Sequence, residues 1–277
     1  MAMTNAAVAN AAPNRPRLGE LLKRWRSQRR ISQLDLAVQA GVSARHLSFV
    51  ETGRSQPSRE MVLHLAEQLG VPLRDRNALL TAAGYAPVYR ESSLDEPELA
   101  SIRQAITVIL RNHEPMPALV VDRRWDLVDA NAGVTMFLSL LSAALLEPPV
   151  NVIRASLHPE GLAPRIVNFD EYAVHLVERL RRQFELSGDS SLAALLDEVL
   201  EYPGVDEAVA GHTGGAPVGV VLPVQLRLDH GEVLSFFTTM TVFGTPLDVT
   251  LSELAVESFF PADEATAAGV RALAGSP

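Results

Sequence analysis

From Leu18 onward the apolar positions recur at helical spacing and are punctuated by capping residues. Leu18, Leu21, Leu22 and Trp25 share one face of a first helix, and Lys23, Arg24, Arg26, Arg29 and Arg30 lie mainly on the others. The run SQLDLAVQAGVSARHLSFVETGR, residues 32–54, predicts two short helices around a tight turn. Ser32 caps the first, with Asp35 in the capping-box position, and Leu34, Leu36, Ala37 and Ala40 form its stripe. Gly41 supplies the left-handed residue that ends it, Val42 anchors the turn and Ser43 caps the second helix at Ala44. A fourth helix follows Ser58 and a fifth spans about 74–83. The pattern is an all-α helix-turn-helix domain over 15–83.

The stretch 84–98, with Gly, two Pro, paired Ser and several acids, reads as a linker, and the stripe of Leu99, Ile102, Ile106, Ile109 and Leu110 predicts a helix. Two roles stand for that helix: a dimer seam, or a lid on the second domain. From Ala118 the period becomes that of strands, over 118–122 and 125–131. Helices are then predicted over 132–146, 169–186 and 190–202. Further strands are predicted over 220–228, 232–243 and 251–260, after a flexible Gly/Pro-rich approach at 214–219. This order predicts a second, α+β domain over 99–277, an antiparallel sheet roofed by helices with apolar residues between them.

Charge sharpens the division. Residues 15–90 carry 13 Lys and Arg against 6 Asp and Glu, net +7, so the whole-chain −9 leaves −16 for the remainder. A basic module has the electrostatic footprint of a DNA binder, and an acidic one does not lie along phosphates. On the second helix of the motif, Leu47 and Val50 face inward, so Arg45, Ser48, Phe49 and Thr52 share the outward face. Arg45 is placed to fork onto a guanine edge, Phe49 to meet a thymine methyl, and Ala44 to let the backbone come close. His46 lies between the faces, and both a packing role and a DNA contact stand for it. Arg26 and its neighbours on the first helix are expected at backbone phosphates.

The run from Leu18 to about Leu69, with SQxxLAxxAGVS and RHLSFxExGRSxPS, resembles the XRE (Cro/repressor-like) helix-turn-helix family. The resemblance implies a five-helix, lambda-repressor-like fold, a phosphate contact from Gln33 and base reading by Ala44, Arg45, Ser48 and Phe49. Ser43, His46, Thr52 and Arg54 complete the expected DNA-binding set, and Glu51 is expected to be structural. DxxWDLVDAN, NVIRASLHPEGLAPRIVNFDEYAVHLVERLRRQ and FGTPLDVTLSELAVESFFPAD together resemble the MmyB-like ligand-binding domain, which implies a PAS-like fold with a pocket for fatty-acid-like molecules. Its candidate lining is Trp125, Val128, Phe137, Phe169, Tyr172, Phe236, Met240 and Phe243, for each of which ordinary core is the leading reading.

The remaining chemistry is expected to be absent. There is no cysteine, and the histidines show neither HxxxH nor HExxH spacing, so no metal or cofactor is expected. No GxSxG elbow or complete phosphate loop points to an enzyme. Residues 1–14 read as a disordered tail, with no signal peptide and no apolar run long enough to span a membrane. The expected protein is a cytoplasmic, homodimeric regulator that binds double-stranded operator DNA and a small apolar ligand. The alternative is a constitutive repressor whose second domain only dimerises.

Overall fold

The computed structural model describes residues 17–212, 222–244 and 246–275, so the tail expected at 1–14 and the approach expected at 214–219 lie outside the described residues. The chain divides into two compact units between Tyr89 and Arg90.

The first unit is α1 (Leu18–Gln28), α2 (Gln33–Gln39), α3 (Ala44–Glu51), α4 (Arg59–Gln68) and α5 (Leu73–Ala82). Its helix starts follow local chemistry. The Oγ atoms of Ser32, Ser43 and Ser58 accept the N–H of Asp35, His46 and Met61 at 3.1, 3.1 and 3.2 Å. Gly41 takes φ +63° between α2 and α3, a conformation that costs a side-chain-bearing residue. Leu22, Trp25, Leu36, Leu47, Leu65, Leu69, Leu79 and Leu80 are fully buried and form one core. In α2 the stripe is narrower than expected: Leu36, Ala37 and Ala40 are buried, whereas Leu34 is 63% exposed. A seven-residue helix presents about two turns to the core, and Leu34 falls outside that arc.

The stretch read as a linker is held by side chains at both ends. The Asn77 amide donates to the Tyr89 carbonyl at 2.7 Å and its oxygen accepts from Val88 and Tyr89, so residues up to Tyr89 are fastened to α5. Beyond Arg90 the Ser92 N–H donates to Asp248 at 3.1 Å and Leu94 packs against the second unit's core.

In the second unit a 3-10 turn (Pro97–Leu99) leads into α6 (Ala100–Asn112), and β1 (Ala118–Val121) and β2 (Leu127–Ala130) form a hairpin. Where one helix was expected over 132–146, a 3-10 turn (Ala132–Val134), α7 (Thr135–Leu138) and a second 3-10 turn (Ala143–Leu146) follow. The break has a cause: the Ser142 N–H leaves the helical ladder for the Glu160 carbonyl at 3.1 Å. Next come α8 (Val152–Leu157), α9 (Phe169–Ser187), α10 (Ser190–Leu200) and α11 (Val205–Gly211), then β3 (Val224–Arg227), β4 (Val233–Val242), α12 (Val249–Ser252), β5 (Ala255–Pro261) and α13 (Glu264–Ala274). α8, α11 and α13 were not predicted, and the strand expected over 251–260 begins with α12, whose N-terminus Asp248 caps. α8 is too short to show a period; it is seated in the core by the buried Ile153, Ala155 and Leu157, and Arg154 bonds Glu198 of α10 at 2.6 and 2.7 Å.

The strands form one antiparallel sheet in the order β2-β1-β5-β4-β3. Alternation gives it two faces. Leu119, Val121, Phe236, Glu257 and Phe259 point toward the helices that roof it; Ala118, Val120 and Val256 point the other way, onto Ile106 and Leu110 of α6. The stripe of α6 is thus used on the sheet, while Val108 and Ile109 stay exposed. The unit is the expected α+β, PAS-like architecture.

Candidate functional site

Two sites emerge, one in each unit. In the first, α3 keeps Leu47 and Val50 in the core and turns its opposite face outward. Arg45 is exposed, with its guanidinium 5.3 Å from the centroid of the half-buried Phe49 ring. That stacking orients the guanidinium fork without using its donors, as bidentate recognition of a base edge requires. Ser43, Thr52 and Arg54 are exposed and Ala44, His46 and Ser48 half-buried on the same region. The Thr52 hydroxyl is turned back onto the Ser48 carbonyl at 2.7 Å, and Ser43 carries the cap bond to His46.

Arg26, expected at a backbone phosphate, is engaged within the unit. Its Nε and one terminal nitrogen donate to the two Glu51 oxygens at 2.8 and 3.2 Å, and the other donates to the Ile31 carbonyl at 2.9 Å. The pair is largely sealed, with 15% and 5% of the two side chains exposed. Glu51 also accepts the Gln33 amide at 3.0 Å, so one carboxylate ties α1, α2 and α3 together and fixes Gln33 at the head of α2. Bonding to Glu51 raises the Arg26 pKa further, so its charge is permanent.

The second site is a cavity of about 70 Å³ between the sheet and its helical roof. Trp125, Phe137, Tyr172 and Phe236 line it, with Leu119 and Leu127 among the aliphatic walls. Four expected residues do not. Val128 is exposed, because neighbouring strand residues point oppositely and Leu127 takes the inward position. Phe243 packs with the α6 cluster on the other face of the sheet. Met240 shares the roofed face but joins the surrounding core beyond the cavity, and Phe169 lies at the start of α9 against Gly204.

Trp125 reaches the cavity through an unusual backbone. In the hairpin turn the Asp122 carboxylate accepts the N–H groups of Arg124 and Asp126 at 2.8 and 3.0 Å, and Trp125 adopts φ +68°. Such a conformation costs a bulky residue about 1 kcal/mol or more. It is held by the indole N–H, which donates to Gln183 at 2.7 Å, and by Arg179, whose guanidinium stacks 4.5 Å from the indole centroid.

One end of the cavity is polar. Glu257 on β5 is buried, faces the space and lies 3.6 Å from Arg179 on α9; Thr238 stands beside it on β4. Burial raises the Glu257 pKa, and Arg179 and Thr238 oppose that rise. Tyr172, next to the Ser156 hydroxyl, has its phenol pKa raised by burial and by Glu257. Glu257 and Ser156 were missed as cavity residues. For Glu257 a signal existed in AVESFF, a single acid at an inward-facing position of a largely apolar strand.

A family model for a helix-turn-helix domain matches residues 17–79, and one for the MmyB-like transcription regulator ligand binding domain matches residues 102–273. No curated protein matches the chain. The first match covers the unit bearing α3, and the second spans the sheet and the helices around the cavity. Among the described residues, no helix is long and apolar enough to cross a membrane, and no three His, Asp or Glu side chains are grouped to hold a metal ion.

Proposed function

The chain belongs to the family of the MmyB-like transcription regulator ligand binding domain, and we propose from that membership that it is a cytoplasmic, non-enzymatic regulator that binds a pseudo-palindromic operator as a homodimer and responds to a small apolar, fatty-acid-like ligand. The observation that carries this reading is the joining, in one chain, of an outward α3 face bearing Arg45 to a unit with an apolar cavity. Val108 and Ile109, left exposed on α6, suit a surface between two copies.

Arg45→Ala is expected to weaken operator binding by about 1–3 kcal/mol and to relax preference at one base pair. Titrations on operator and random DNA check it; equal losses on both would assign Arg45 to phosphates instead.

Ligand control requires unequal affinity for the DNA-competent and DNA-incompetent states. A cavity of about 70 Å³ is far below the roughly 300–1,000 Å³ of drug-sized ligand sites, so an alkyl ligand has to push its walls apart. The wall contributed by Val134, Phe137, Leu138 and Leu141 belongs to the broken helix and the turns around it, short segments with few helical bonds to resist displacement. A medium-chain alkyl ligand is expected to raise the Tm and change operator affinity. Ala155→Leu, which fills the cavity from α8, is expected to abolish both effects; an unchanged response would place the ligand elsewhere. Met240→Trp, beyond the cavity, is expected to leave the response in place.

The small volume also favours a second reading, a constitutive repressor whose second unit only dimerises. Operator affinity insensitive to every alkyl ligand would decide for it.

A further inference from the structure

Resting on the sensor reading above, the structure assigns a head-group chemistry to the ligand: we propose that the cavity selects an apolar chain ending in a neutral hydrogen-bond donor, a hydroxyl or an amide, and discriminates against a carboxylate. The walls are aliphatic and aromatic except at one end, where Glu257, Tyr172 and Ser156 line the space. Glu257 already has its counter-ion, Arg179, at 3.6 Å. Arg179 stands outside the lining, stacked on the Trp125 indole. A ligand therefore meets the carboxyl of Glu257 before it meets the guanidinium.

Charge balance decides the preference. Arg179 and Glu257 sum to zero, which is the state a buried pair requires. A carboxylate entering beside them adds an uncompensated negative charge in a poorly hydrated space, or forces one of two neighbouring carboxyl groups to take up a proton. An alcohol or amide adds no charge and donates to a carboxyl oxygen, and Tyr172 and Ser156 supply hydroxyls to receive or complete the bond. The fatty-acid-like character of the ligand is thus retained in its chain and changed in its head.

The test is calorimetric titration of the full chain at pH 7.5 with octan-1-ol, octanamide and sodium octanoate. Octanol and octanamide are expected to bind at least about 10-fold more tightly than octanoate. In Glu257→Gln, where the carboxylate is removed and an amide keeps the shape, the gap is expected to close mainly by tighter octanoate binding. The comparison on the natural chain stands even if that variant folds poorly. Octanoate binding as tightly as octanol or more so would overturn the head-group assignment and leave the sensor reading intact. Absence of binding by all three, with no rise in Tm, would overturn the sensor reading itself and the assignment with it.

Discussion

Gly19→Ala is expected to unfold the DNA-binding unit at temperatures where the natural chain is folded. Helix propensity alone argues the opposite, since alanine inside a helix is favoured over glycine by about 1 kcal/mol. Packing reverses the sign. A Cβ on Gly19 would lie 2.1 Å from the Glu51 carbonyl oxygen and 2.6 Å from its carbon. Both atoms are backbone at the end of α3, so no rotamer change relieves the clash and α1 must separate from α3. We expect a loss of at least about 3 kcal/mol, at the upper end of overpacking costs, read by urea unfolding of the full chain. Gly53→Ala is the comparison: it keeps φ +72° but meets nothing within 4 Å, so its cost should be only about 1 kcal/mol. Equal stability of Gly19→Ala and the natural chain would show that the two helices are not in such close apposition.

Glu51→Ala is expected to be comparably damaging for an electrostatic reason. It leaves the Arg26 guanidinium largely buried without its carboxylate and removes the acceptor of the Gln33 amide. Breaking such a pair from one side costs about 3–5 kcal/mol, whereas replacing both partners by apolar residues is often neutral. Arg26→Met with Glu51→Leu should therefore recover much of what either single substitution loses. Arg26→Ala is further expected to leave the salt dependence of DNA binding unchanged once the folded fraction is taken into account, because a residue that touches no phosphate releases no counterion. A flatter salt slope at undiminished stability would restore the phosphate role expected from the sequence.

Arg26 marks the limit of what local pattern carries. On α1 it is one of several cations beside a basic motif, and composition treats them alike. Packing does not: Arg26 is bonded to Glu51, Arg29 donates to the Leu69 carbonyl and Arg76 to the Val71 carbonyl, so part of the basic excess holds the unit together from inside. The cavity followed the same logic. Aromatic residues at strand and helix positions identified the right unit, but Leu127 rather than Val128 faces inward, because a one-residue difference reverses the face.

By itself the sequence determined the features whose cause lies within a few residues: the serine caps of α2, α3 and α4, the left-handed glycine between α2 and α3, the inward Leu47 and Val50, and the change from helical to strand period near Ala118. Each depends on bonds or alternations that span four residues or fewer. Only the tertiary structure decided the rest: the Arg26–Glu51 pair, the left-handed Trp125, and the placing of Glu257 with Arg179 at one end of an apolar cavity. These join residues far apart in the chain. Local pattern says which face of an element is apolar, but not which distant polar group will be buried beside it, because that is settled when helices and sheet close on one another and every buried charge has to find a partner.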